Sequence, residues 1–107
     1  METTADTLLP LDQLRQNIDR IDRQLVGLIA ERSTFVTKAS VFKKTTIEAA
    51  DTARVEAVIS KVRAFAEEYD MDKNIIEKIY RTMISSFVQE EISKITPLYQ
   101  QLKKSYY

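Results

Sequence analysis

From Leu14 onward the apolar positions recur at steps of four, three, four and three: Leu14, Ile18, Ile21, Leu25, Leu28, then Arg32, Phe35, Ala39 and Phe42. This is the spacing of a seam along which one helix packs against another. It predicts a helix from about Leu11 to Lys44, entered through Pro10 and Asp12, whose carboxylate can accept hydrogen bonds from free first-turn amides. Gly27 weakens that helix by ~1 kcal/mol relative to alanine but leaves the period intact. The stretch "TTIEAAD" has no seam period and reads as a loop or frayed turn. A second helix, about Asp51 to Tyr69, carries Val55, Val58, Ile59, Val62, Phe65 and Ala66 on one side. "YDMD" breaks it, and Asp72 can cap a third helix from Lys73 to about Thr96, with Ile76, Tyr80, Ile84, Phe87, Glu91 and Ile95 in a stripe. Pro97 disturbs the end of that helix, leaving "LYQQLKKSYY" as a short helix or an irregular segment. The pattern divides the chain into a tail over 1–10, an all-α domain over 11–96 and a second tail over 97–107.

Length decides between architectures. Roughly 32 residues of helix extend ~48 Å, whereas a compact globule of about this size has a radius of gyration of only ~13 Å. The first helix therefore overhangs its own protomer, and its seam calls for a partner; a second copy of the chain is the economical one, giving a helical homodimer. The competing arrangement breaks the helix near Gly27 and folds a monomeric four-helix bundle.

Charges interrupt the apolar stripes. Arg32 stands in the first seam between Leu28 and Phe35, and Glu91 stands in the third-helix stripe between Phe87 and Ile95. Lys43 follows Phe42 at the end of the first helix, Arg54 opens the second, and Arg15 lies on the shoulder of the seam beside Leu14. If the helices pack side by side, these cations and one carboxylate converge on an apolar interior, a setting for a small ligand with more than one negative charge. A buried Arg32–Glu91 ion pair with three ordinary surface cations explains the same spacing. One glutamate cannot neutralise so many cations, so their convergence would require an external anion.

Composition narrows the chemistry. With 16 basic and 16 acidic residues the net charge is zero, which argues against a general nucleic-acid or membrane-surface binder. There is no cysteine and no histidine, so thiolate nucleophiles, sulfur-ligated metals and the commonest general base are all missing. No paired carboxylates stand at a spacing for glycoside hydrolysis or an oxygen-ligated metal, and no metal or cofactor is expected. What remains is to hold an anionic substrate in a reactive conformation and to stabilise charge developing on it. The first ten residues have no basic region leading into an apolar run, and no run is long enough to span a bilayer, so a cytoplasmic location is expected.

"LDQLRQNIDRIDRQLVGLIAERSTFVTKASVFK", a loop to "ARV", and a third helix with "FVQEEI" resemble the all-helical chorismate mutases over about Leu11 to Ile95. Within them the chain is most similar to the branch containing the isochorismate pyruvate lyase of salicylate and siderophore pathways. The resemblance implies an intertwined homodimer of three-helix protomers with two sites, each closed by residues of both chains. It implies that Arg15 reaches a substrate carboxylate from the partner chain and that Arg32 binds the other carboxylate. It further implies that Lys43 hydrogen-bonds the ether oxygen of the breaking bond, that Arg54 closes over the ligand, and that Phe87 lines the pocket. Two positions depart from many mutases. Val55 stands where a glutamate often holds the ring hydroxyl, as in the lyase-like branch, and Glu91 stands where a glutamine commonly donates to the ether oxygen. A carboxyl group donates only when protonated, and an ionised Glu91 would instead partner Lys43. The expected reaction is rearrangement of chorismate to prephenate. Alternatives are elimination of pyruvate from isochorismate, a mutase acting on an amino-substituted chorismate, and a non-catalytic helical ligand-binding dimer.

Overall fold

The structure, a computed structural model, describes residues 10–40 and 51–106, with side chains over 10–39 and 51–93. The described residues form three α-helices, α1 (Pro10–Ser40), α2 (Thr52–Glu68) and α3 (Lys73–Tyr106). The chain divides into two compact units, Met1–Lys38 and Ala39–Tyr107. No helix among the described residues is long and apolar enough to cross a membrane.

The first unit holds all but the last two residues of α1, which has 31 residues and therefore ~46 Å of continuous helix. It begins at Pro10, one residue before the expected start, because proline's fixed φ and missing N–H suit a first helical turn. Asp12 accordingly lies inside the first turn, where its charge faces the positive end of the helix dipole, instead of capping it. The helix passes through Gly27, around which there is open space. In the single chain the seam is uncovered: Leu14, Ile18, Ile21, Leu25, Leu28 and Phe35 are between 49% and 63% exposed. Covering six half-exposed side chains of this size is worth about 1 kcal/mol each. Phe42, the last seam position, and the 45–50 stretch read as a loop lie outside the described residues.

The second unit contains a hairpin of α2 and α3. Among its described side chains Ile59, Val62 and Ala66 are buried, Val55 and Val58 are half-buried, and Phe65 stays exposed although the apolar pattern placed it inside. The chain reverses in a Schellman turn, with the Asp70 amide donating to the Glu67 carbonyl and the Met71 amide to the Ala66 carbonyl at 2.9 Å. Asp70 takes a left-handed conformation, φ 54°. Glycine meets no Cβ penalty there, so Asp70→Gly should raise stability by about 0.5–1 kcal/mol, read as a higher urea midpoint at unchanged slope. Asp72 then caps α3 as expected, accepting from the Asn74 amide at 2.8 Å.

Ion pairs along one side of the hairpin fix its register. Arg81 grips Glu56 through both Nη atoms at 2.8 and 2.9 Å and donates from Nε to Glu77 at 2.8 Å. Glu77 also accepts from Arg63, which reaches Asn74, and Lys73 meets Glu67 beside the turn. The Arg81 guanidinium holds Glu56 and Glu77 below the usual carboxylate value of 4.5, and Lys73 does the same for Glu67. A carboxylate whose folded pKa is lowered adds stability that is fully present above its unfolded value and is lost as pH falls below it. The melting temperature should therefore fall on acidification from about pH 4.5 downward, by a modest amount because these groups are solvent-screened. Arg81→Met should flatten the fall. Parallel wild-type and variant slopes between pH 5 and 3 would show that the network contributes nothing.

The third helix corrects one expectation. Instead of ending near Thr96 it continues through Pro97 to Tyr106. A proline removes one backbone hydrogen bond and crowds the preceding turn at a cost of ~3 kcal/mol, but the Leu, Gln and Lys residues that follow are strong helix formers.

Candidate functional site

The candidate residues fall on all three helices. On α1, Arg15 is exposed on the shoulder of the seam, while Arg32 is half-buried together with Ile29, Ser33 and Val36. Ser33 and Thr34 turn their hydroxyls back onto the Ala30 carbonyl, at 2.7 and 3.1 Å. The Lys38 ammonium stacks 5.3 Å from the centre of the Phe35 ring.

Arg15 and Arg32 cannot serve the same end of one small ligand from a single chain. Seventeen residues apart on one straight helix, their backbones are separated by ~25 Å. An arginine side chain reaches only a fraction of that, so a site that uses both takes one from each of two chains.

The second unit gathers the others. Glu56 opposite Arg81, Arg63 opposite Glu77 and Glu67 opposite Lys73 define one antiparallel register. Continued at 1.5 Å per residue, it sets the first turn of α2 level with Ile84 to Phe87, and Glu91 about one turn further. Arg54 and Val55 in that first turn, with Phe87 and Glu91 on α3, therefore belong to the same end of the hairpin. Val55, Phe87 and Glu91 are half-buried, and Oε2 of Glu91 is shut off from solvent. Arg54 is exposed. Lys43 lies outside the described residues.

An apolar cavity lies at the opposite end of the hairpin, beside the turn. It is an open depression of about 150 Å3 lined by Val62, Phe65, Ala66, Tyr69, Met71, Ile76 and Tyr80. With no cation in its lining it suits apolar side chains and not a dicarboxylate.

Sequence reasoning missed one residue near the site. Asp51, in a non-helical conformation (φ −57°, ψ 100°), caps α2 by accepting from the Arg54 amide at 3.1 Å. The signal was present as an aspartate three positions before the arginine, at the start of an apolar-periodic run.

Residues 14–92 match the family model described as chorismate mutase type II. A relative named isochorismate pyruvate lyase, from Pseudomonas aeruginosa, is 29% identical over 89 residues, which is 83% of this chain and 88% of the relative. A relative named chorismate mutase, from Methanocaldococcus jannaschii, is 31% identical over 75 residues, 69% of this chain and 76% of the relative. No solved structure gives a significant match.

Proposed function

Because the chain belongs to the chorismate mutase type II family, we propose that it is an enzyme that rearranges chorismate to prephenate by holding a dicarboxylate substrate in a reactive conformation. The matched stretch 14–92 carries the reading, since it contains Arg15, Arg32, Lys43, Arg54, Val55, Phe87 and Glu91 together.

Each residue is given a role by its chemistry. Arg32 binds one substrate carboxylate from its half-buried position, and Arg15 of a second copy binds the other. Arg54 closes over the ligand from the first turn of α2, while Val55 and Phe87 exclude water from the ring. As the carbon–oxygen bond breaks, negative charge gathers on the ether oxygen. A Lys43 ammonium and a Glu91 donor fixed beside that atom stabilise the transition state more than the ground state, which accelerates the chemical step. No protein nucleophile or cofactor enters the scheme.

Two observations support a homodimer with shared sites: the uncovered apolar seam of α1 and the ~25 Å between Arg15 and Arg32 on one helix. Light scattering should give twice the mass of one chain, and a fully active monomer at micromolar concentration would remove both the dimer and the shared site.

Elimination of pyruvate from isochorismate is the second reading. The lyase relative matches over a longer stretch than the mutase relative, and Val55 leaves no carboxylate beside Arg54 to hold a ring hydroxyl. Both reactions are served by the same carboxylate clamps and the same stabilised oxygen. Turnover of purified protein, followed separately as prephenate from chorismate and salicylate from isochorismate, decides. Turnover of chorismate alone sustains the first reading, turnover of isochorismate at a higher kcat/KM installs the second, and turnover of neither leaves a mutase for an amino-substituted chorismate or a non-catalytic helical protein.

A further inference from the structure

We infer that Asp51 is a positioning residue for Arg54, holding the first turn of α2 so that the Arg54 guanidinium is presented to an anionic ligand.

A cation in the first turn of a helix sits at the wrong end of the dipole, where it is repelled by the partial positive charge of the free amides. Arg54 occupies that place, and α2 has no acidic residue in its first turn to offset it. Among the described residues the fold makes no use of the side chain: it is exposed, and the ion pairs that register the hairpin use Arg63 and Arg81 instead. A local rule broken without a structural gain marks a residue placed for function. Asp51 is the group that makes the placement tolerable. Its Oδ1 accepts the Arg54 backbone N–H at 3.1 Å, and its carbonyl accepts the Val55 N–H at 3.1 Å. Both bonds start from candidate site residues, Arg54 and Val55, so the cap that nucleates α2 also sets where Arg54 begins. The carboxylate meanwhile supplies the negative charge missing from that turn. Without it the turn frays, and Arg54 must be ordered at the moment of binding at the expense of affinity.

This inference rests on the anion-binding role given to Arg54, and a natural control keeps the two separable. Asp72 caps α3 in the same way, through the Asn74 amide at 2.8 Å, but no candidate residue lies in that turn. Asp51→Ala and Asp72→Ala each delete one cap and should lower the melting temperature by similar amounts. Only Asp51→Ala should raise KM for chorismate, by about fivefold with kcat changed less, as the loss of one cap predicts. Asp51→Asn, which keeps the acceptor, should recover most of that loss. In an Arg54→Ala background Asp51→Ala should add little further to KM. Hydrogen exchange of the Arg54 amide, which requires no turnover, should accelerate in Asp51→Ala and not in Asp72→Ala. Equal KM changes in Asp51→Ala and Asp72→Ala, or additive changes in the double variant, would reduce Asp51 to an ordinary cap. If the Arg54 amide is released in Asp51→Ala while Arg54→Ala itself leaves KM unaltered, it is the ligand role of Arg54 that fails.

Discussion

Arg32→Ala leaves a folded protein whose kcat/KM for chorismate is lower by about a hundredfold to a thousandfold. The estimate follows from deleting one member of a close charge pair, the substrate carboxylate being the other, which costs roughly 2–5 kcal/mol at tenfold per 1.4 kcal/mol. Folding should survive because Arg32 is only half-buried, in a seam whose neighbours Leu28 and Phe35 are 62% and 63% exposed in the single chain. If Arg32 were instead one half of a structural ion pair, truncation would strand the other half at a cost of ~3–5 kcal/mol of stability. For a domain of about this size that is a fall in melting temperature of more than about 10 °C. Melts of the ligand-free variant beside calorimetric titration with a dicarboxylate inhibitor separate the cases. A large thermal loss with affinity retained assigns Arg32 to structure, and lost affinity with a nearly unchanged melt assigns it to the ligand.

The helix starts were legible in the sequence where a side chain announces them. Asp72 stands one residue before α3 and accepts an amide as its position predicts, while Asp51, read as the first residue of α2, stands one residue before it and caps it in the same way. Helix ends were less legible, because propensity and tertiary context weigh against single residues. Pro97 argues for a stop, yet α3 runs nine residues beyond it. Burial was legible in direction and not in degree. The period of three and four picked out the seam of α1 and the apolar side of α2, but among the described residues only Ile59, Val62 and Ala66 are buried in the single chain. A sequence records which side chains favour a dry surface, and it does not record whether the same chain supplies that surface. For the site, residue types and spacing singled out the cations and Glu91 as misplaced.

The last prediction joins Lys43 to Glu91. In the proposed scheme both act on the ether oxygen, Lys43 as an ammonium donor and Glu91 as a carboxyl donor. Glu91→Gln keeps the side chain's length and supplies an N–H donor, so its kcat/KM for chorismate at neutral pH should equal or exceed that of the wild type. The position can shelter such a donor, since Oε2 of Glu91 is already removed from solvent. Lys43→Ala should lose on the order of a hundredfold or more at every pH, as when one donor to a developing oxyanion is deleted. Lys43→Ala also separates two roles for Glu91. If the carboxylate instead works ionised, as the partner that orients the Lys43 ammonium, Glu91→Gln slows the wild type and does little more in the Lys43→Ala background. A slow Glu91→Gln whose defect disappears in the Lys43→Ala background would therefore move Glu91 from hydrogen-bond donor to anionic support for Lys43.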